Sequence, residues 1–410
     1  MEYFNEKTKL YDITSKYPET IQVFVNNGFT QMDSEEQRKK YGSTIDLKTA
    51  LSMKQIDLNI FENILNEAIG QNSTSDVTLS KGKGVRGDSV LNIVGLLPCP
   101  VRIPLLEEFT SFAKNIEKSG LQLNYELKAA SMGLQWVEQN ICGAENPDDL
   151  PDMFISAGFD MFFDEKRIGK FKKSGVFEDI TGINSFNHSF CEIELKDPRK
   201  HYGMIGVVPA VFLINKDELG VRDEPKSWAD ILKPEFENRV SLPVGDFDLF
   251  NGILLNIHKN YGDEGVKKLG RSLLESMHPS QMVKSDKKKE NRPIVTIMPW
   301  FFTNMVREGG SMVAVWPEDG AIISPIFLLA KGARGEALKP IADFFTSKKI
   351  GEILSHNGRF PSVNPEVDNG IPEGKKFMWL GWDYIYENDI SALIKHCEDV
   401  FNTALMKEAD

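Results

Sequence analysis

Several positions in this 410-residue chain carry side chains whose type and setting suit ligand chemistry. Cys99 lies between Pro98 and Pro100 at the end of an apolar run, where a thiol is either a small buried group or a soft-metal or thiolate centre. Ser156 and Gly158 close another such run, as an anion-holding turn at a helix N-terminus or as a plain capped turn. Asp246 and Asp248 open a helical stretch. They read as helix caps, or as negative charge where an anion would otherwise sit, which favours an amine or a metal cation. Trp300 and Trp316, each next to a proline, can stack on a ligand, make a cation–π contact or fill core. Glu318 and Asp319 occupy a Pro-Glu-Asp-Gly turn, where acidic residues are ordinarily solvated.

Metal and catalytic signatures are thin. His188 with Cys191, and His396 with Cys397, are the only His/Cys neighbours, and a metal site needs three or four converging ligands. The run Lys284–Arg292 reads as a solvated loop. There is no Gly-x-Ser-x-Gly elbow, phosphate-cradling GxxxxGK[ST] or HExxH, and no GxGxxG after an expected strand. An enzyme is therefore not expected. No cofactor is expected either, although a bound metal ion stays open.

The elements that must position these residues fall into two parts. Residues 1–70 pattern as a small helical domain, with Pro18 in a first turn, Ile21, Phe24 and Val25 at helical spacing and Gly28 as the stop. A patch at Leu47–Leu51 follows, then a helix capped by Asp57 with Leu58, Phe61, Ile64, Leu65 and Ala68 on one face. A core this thin suits an interaction or docking module. Residues 71–88 are polar and glycine-rich, and read as a flexible linker.

From residue 89 the pattern is α/β. Val90–Leu97, Leu121–Leu127 and Pro151–Ser156 read as strands alternating with helices, the first of these at Ile103–Ile116. A long apolar run, Ile205–Asn215, precedes a second set: Arg239–Val244, a helix from Asp248, Ile294–Pro299 and a helix from Trp300 on. Met312–Trp316 and Ile322–Leu329 are apolar again, before helices at Pro340–Phe345, Ile350–His356 and Ile390–Leu405. One lobe, an exit, a second lobe and a return predict crossings near 205–215 and 312–325. Lobe 1 is then about 89–207 with 320–410, and lobe 2 about 208–319.

The charge balance is 48 basic against 60 acidic residues, net −12, which disfavours nucleic acid and anionic membranes. No 18-residue apolar stretch spans a membrane, the first residues lack a signal-peptide core, and four scattered cysteines read as reduced. The expectation is a cytoplasmic protein.

Residues 89–410 resemble type II periplasmic binding proteins, the solute-binding components of ABC transporters, and specifically the iron, polyamine, thiamine and aminoethylphosphonate binders. The motifs are LPDMFISAGFD (150–160), VPAVFLINKDELG (208–220), PKSWADILKPEFENRVSLPVGD (225–246) and VAVWPEDGAIISPIFLLAKGA (313–333), in order along the chain. The resemblance implies a two-lobe α/β fold with a ligand in the interlobe cleft, touched by Cys99, Ser131, Ser156, Gly158, Gly245, Asp246, Trp300, Trp316 and Glu318. Ferric-binding members commonly use adjacent tyrosines. No Tyr-Tyr occurs here, and Tyr384 and Tyr386 lie outside the matched motifs.

The first domain resembles a domain of unknown function found beside iron–sulfur repair and hybrid-cluster proteins, through residues 17–29 and 47–65. Relatives often carry paired cysteines after the glycine. Here Phe29–Asp33 has none, so no cluster role carries over. The expected function is a solute-binding protein that closes on a small molecule or ion, linked to an ABC permease or acting inside the cell as sensor or carrier. Residues 1–70 would then dock a partner. An enzyme using Cys99 and cleft carboxylates, and a scaffold with a degenerate cleft, are the alternatives.

Overall fold

The computed structural model describes residues 3–18, 20–21, 24, 29–32, 34–53, 58, 61–62, 65, 69, 79–81, 90–98, 101–118, 120–129, 141, 143–159, 161–244, 247–276, 292–306 and 309–406. The chain divides into two compact units, Met1–Thr78 and Leu79–Asp410.

In the first unit, α1 (Leu10–Lys16) and α2 (Leu47–Met53) bury Leu10, Ile13, Leu47, Ala50 and Leu51. Phe24, Phe29 and Phe61 meet at ring-centroid distances of 5.3–6.0 Å and form the heart of this small core. The unit is helical, as its periodicity requires.

The second unit is built on one sheet. Parallel β2 (Val90–Leu97), β3 (Gln122–Ala129) and β4 (Met153–Ala157) form one side. The near-continuous apolar runs of β2 and β4 follow from burial on both faces, whereas β3 alternates and is only partly buried. Parallel β6 (Val240–Leu242), β7 (Leu273–Ser276) and β8 (Val295–Pro299) form the other. Joining them are two long antiparallel strands, β5 (Gly203–Asn215) and β10 (Ala321–Ala330), each buried along its whole length. This is the mixed α/β, two-lobe architecture that the sequence predicts. Helix α3 (Arg102–Lys118) follows β2, α4 (Phe247–Ser272) follows β6, and α5 (Gly335–Phe345) and α6 (Ile390–Met406) complete the unit.

Three expectations need correction. Leu79–Lys81, inside the stretch expected to be linker, form β1 and pair antiparallel with β3. The return crossing is β10 rather than 312–325. Met312–Val315 (β9) instead pairs with residues 212–215 of β5, continuing the edge that β10 leaves. The segment from Trp300 on is a short 3-10 run to Met305, not a full helix. β11 (Phe377–Met378) adds a parallel pairing on β10 that no sequence pattern announced.

Both crossing strands carry a central proline where a donor is not needed. Pro209 stands between the Gly206–Ser362 bridge and the Ala210–Pro299 pair, where the outer edge of β5 changes partner. Pro325 stands likewise between the β11 pairing at Ile322 and the β4 pairing at Ile326. A proline without an N–H is tolerated at such gaps and nowhere else in a central strand.

Candidate functional site

The two sets of parallel strands end facing each other across these crossings. In lobe 1, β4 ends at Ala157, paired with Ile326, which in turn pairs with Gly206. In lobe 2, β8 ends at Pro299, paired with Ala210, which faces Ile322. Four residue steps of extended chain lead from Gly206 to Ala210, so the carboxyl ends are offset by about 13 Å along the strand direction, with Val207–Pro209 and Ile323–Pro325 as the floor between them. Ligands of open α/β sheets lie outside the carboxyl ends of strands.

Among the described residues, the side-chain contacts that span the junction include two beside the strand ends. Asn251, in the second turn of α4, donates from Nδ2 to the Phe159 carbonyl at 3.1 Å. Arg359 donates from a terminal guanidinium nitrogen to Thr303 Oγ1 at 2.7 Å, and its guanidinium lies 5.0 Å from the centre of the Trp300 ring. Trp300 and Thr303 follow β8, whereas Arg359 belongs to the segment whose Pro361 accepts the Val207 N–H at the floor.

Arg359 was missed by reading strand-end loops, because it closes a helix. Lys348–Glu352 is α-helical and Ile353–Asn357 widens into a π turn. Gly358 then packs so tightly that a Cβ would lie 2.5 Å from both Phe360 and Val101. Arg359 takes the left-handed conformation (φ 48°) that ends a helix, a place usually held by glycine. That backbone costs a non-glycine residue roughly 1–2 kcal/mol. Among the described residues Arg359 has no carboxylate partner, and burial draws its pKa below the ordinary guanidinium value. A half-buried cation stacked on an indole is a ready partner for an anion.

The predicted site residues divide sharply. Trp300 sits at the junction, held edge-to-face against Trp316 at 5.2 Å. Trp316 itself is 7% exposed and spends its indole N–H on the Lys376 carbonyl at 2.7 Å, so it buttresses Trp300. Gly158 does use a left-handed turn (φ 82°), but its N–H bonds the Pro325 carbonyl, and only the 3-10 turn Met161–Phe163 follows. Among the described residues no helix starts directly at this turn, and the helical stretch from Glu165 has its first N–H groups taken by Asp164. Ser156 is buried within β4, one residue short of its end.

Glu318 is 69% exposed and reaches toward Lys226. Its neighbour Asp319 accepts the Trp228 N–H at 3.0 Å, and burial raises its pKa despite that bond. The Pro-Glu-Asp-Gly turn therefore docks onto lobe 2 through Trp228, whose indole N–H meets the Gly320 carbonyl at 3.0 Å. Cys99, Ser131, Gly245 and Asp246 lie outside the described residues.

A family model described as bacterial extracellular solute-binding protein matches residues 148–388, more than half of the chain. The chain belongs to this family. Residues 4–61 match a domain of unknown function, DUF1858. No curated protein matches this solute-binding protein. Among solved structures, the apo ferric ion-binding protein A of Pasteurella haemolytica is 15% identical with a TM-score of 0.53, over 76% of this chain and 98% of that one. A Trichodesmium protein in complex with iron and citrate ligands is 14% identical, TM-score 0.52, over 76% and 99%. A Clostridium perfringens structure described as an ABC transporter is 15% identical, TM-score 0.52, over 77% and 99%. At these identities they establish the type II binding-protein fold and no ligand. Among the described residues no helix is long and apolar enough to cross a membrane.

Proposed function

We propose that this protein closes without turnover on a small anion-bearing molecule at the junction of its two lobes, with Arg359 as the charged contact and Trp300 as the stacking face. The observation that carries this reading is the half-buried, carboxylate-free guanidinium of Arg359, held against Trp300 where both sets of strands end. The strained backbone at Arg359 supports it, since such strain persists where function repays it. Tyrosinate-held ferric ion is disfavoured. Tyr384 and Tyr386 point elsewhere, to His258 at 3.1 Å and Asp197 at 2.7 Å, and Tyr202 is buried against Phe163 and Trp382.

Delivery to an ABC permease, or cytoplasmic carriage with residues 1–70 docking a partner, extends the same proposal. The free thiols of Cys191 and Cys397 support the cytoplasmic version, because reduced cysteines persist there.

The test is thermal shift and tryptophan fluorescence with citrate, phosphonoacetate and phosphate as anionic probes and spermidine as the cationic control. An anionic probe is expected to raise Tm and perturb Trp300. A charge-assisted hydrogen bond is worth about 1.5–3 kcal/mol, so Arg359→Gln is expected to weaken binding roughly tenfold to hundredfold. Tight spermidine binding that Arg359→Gln leaves unchanged would sink the proposal.

A further inference from the structure

Away from the lobe junction, three metal-ligating side chains distant in sequence converge. His258 lies on α4 and His396 on α6, and Asp263 follows the break in α4. The Asp263 carboxylate stands 2.8 Å from His396 Nε2 and 3.3 Å from His258 Nε2. One donor atom from each of the three lies within 4.8 Å of the other two.

The fold holds this arrangement on rigid elements. Gly262 breaks α4 in a left-handed conformation (φ 62°, ψ −166°), which turns Asp263 back toward the helix it has just left. Helix α6 is locked to α4 by the Phe250–Phe401 contact at 5.3 Å. Gly270 comes so close that a Cβ there would lie 2.7 Å from the Phe401 carbonyl. His258 has its second nitrogen engaged, with Nδ1 3.1 Å from the Tyr384 hydroxyl. That contact fixes the ring and leaves Nε2 as the nitrogen turned to Asp263, the outer-shell device that orients histidine ligands on metals.

We propose that His258, Asp263 and His396 form a binding site for a late first-row divalent cation, zinc being the fitting ion, that ties α6 to α4. Zinc takes histidine nitrogen and carboxylate oxygen at about 2.0–2.2 Å. Two donors on such an ion stand about 3.3 Å apart in tetrahedral geometry, so the His258–Asp263 spacing already fits. The His396–Asp263 hydrogen bond opens by about half an ångström as the ion replaces its proton. Two imidazoles and one carboxylate leave a fourth position for water. His396 and Asp263 are about half exposed, so the ion exchanges with solvent. Calcium and magnesium, which demand oxygen ligands, do not suit the set. The proposal is independent of the ligand bound at the lobe junction.

The experiment is calorimetric titration of zinc chloride into the full-length, chelator-treated chain, paired with thermal shift. The wild type is expected to bind one zinc at this site and to gain Tm. His396→Ala and, separately, Asp263→Asn are expected to weaken that binding at least tenfold and abolish the Tm gain, with the zinc-free Tm as the control for folding. Tyr384→Phe is expected to weaken binding by a smaller factor. Cobalt substitution then reports a low-coordinate site by its intense visible bands, lost in both variants. Zinc binding of unchanged stoichiometry and affinity in both variants, or none in the wild type, overturns the assignment.

Discussion

Replacing Gly252 with alanine tests whether α4 packs directly on the return crossing, and hence whether the lobe junction has the geometry described above. An ideal Cβ at residue 252 would stand 2.5 Å from Ser324 Oγ and 3.8 Å from Ser324 Cβ. The first distance is a clash and the second an ordinary contact. Overpacking of this kind costs about 1–3 kcal/mol, and alanine returns about 1 kcal/mol of helix propensity. Gly252→Ala alone is therefore expected to destabilise by about 1 kcal/mol. Ser324→Ala removes the clashing oxygen along with a hydroxyl hydrogen bond worth about 1 kcal/mol. In the double variant the clash is gone, so the two changes are expected to couple by about 1–3 kcal/mol. All six tryptophans lie beyond residue 78, so urea unfolding followed by tryptophan fluorescence reports the second unit alone. Single effects that simply add, within about 0.5 kcal/mol, would refute the packing of α4 on β10.

The capping box at Trp228 gives a pH signature. Burial alone would raise the Asp230 pKa, but hydrogen bonds from Lys233, the Lys226 N–H and Ser227 outweigh it and hold the carboxyl at about 2. A folded pKa below the ordinary 3.8 means a contribution present above about pH 4 and lost as pH falls through about 2. Asp230→Ala is expected to cost about 1 kcal/mol at neutral pH, with the gap to wild type closing across that acid window. A gap of constant size down to the acid limit would contradict the cap. For the thiols, burial, with Asp263 and Glu398 nearby, pushes Cys397 up to about 12, while Cys191 is exposed. Alkylation of the native protein at neutral pH, mapped by peptide mass, is expected to mark Cys191 and spare Cys397 until denaturant is added. Equal labelling of both would show that α6 does not cover its thiol.

The strands were legible because burial on both faces writes itself as uninterrupted apolar sequence. Val90–Leu97 forms β2 residue for residue, and the apolar stretch around Pro209 is the first crossing. The return was misplaced by several residues because Met312–Val315 is equally strand-like. Only its pairing with β5, at the edge β10 vacates, shows that it belongs to lobe 2. β1 was invisible for the opposite reason: three residues in a polar stretch become a strand when a partner edge, β3, presents itself.

The site shows the same division. Trp300 stood out because an indole after a strand-ending proline is conspicuous in sequence, and the fold places it at the junction. Gly158 and Trp316 carry the same kinds of signal, yet their N–H groups are spent on Pro325 and Lys376, bonds that exist only once distant segments meet. Arg359 looked like any basic residue near a proline until the fold set its guanidinium on Trp300. His396 stood next to Cys397 and suggested a two-residue neighbourhood without enough ligands. Folding turns Cys397 into the core and brings His396 to Asp263 and His258, more than a hundred residues away. Sequence determines which segments are buried on two faces, since that needs only local composition. Which polar groups meet is set by the packing of α4 against α6 and of both lobes on β5 and β10, because convergence is a property of distances between segments that local composition does not encode.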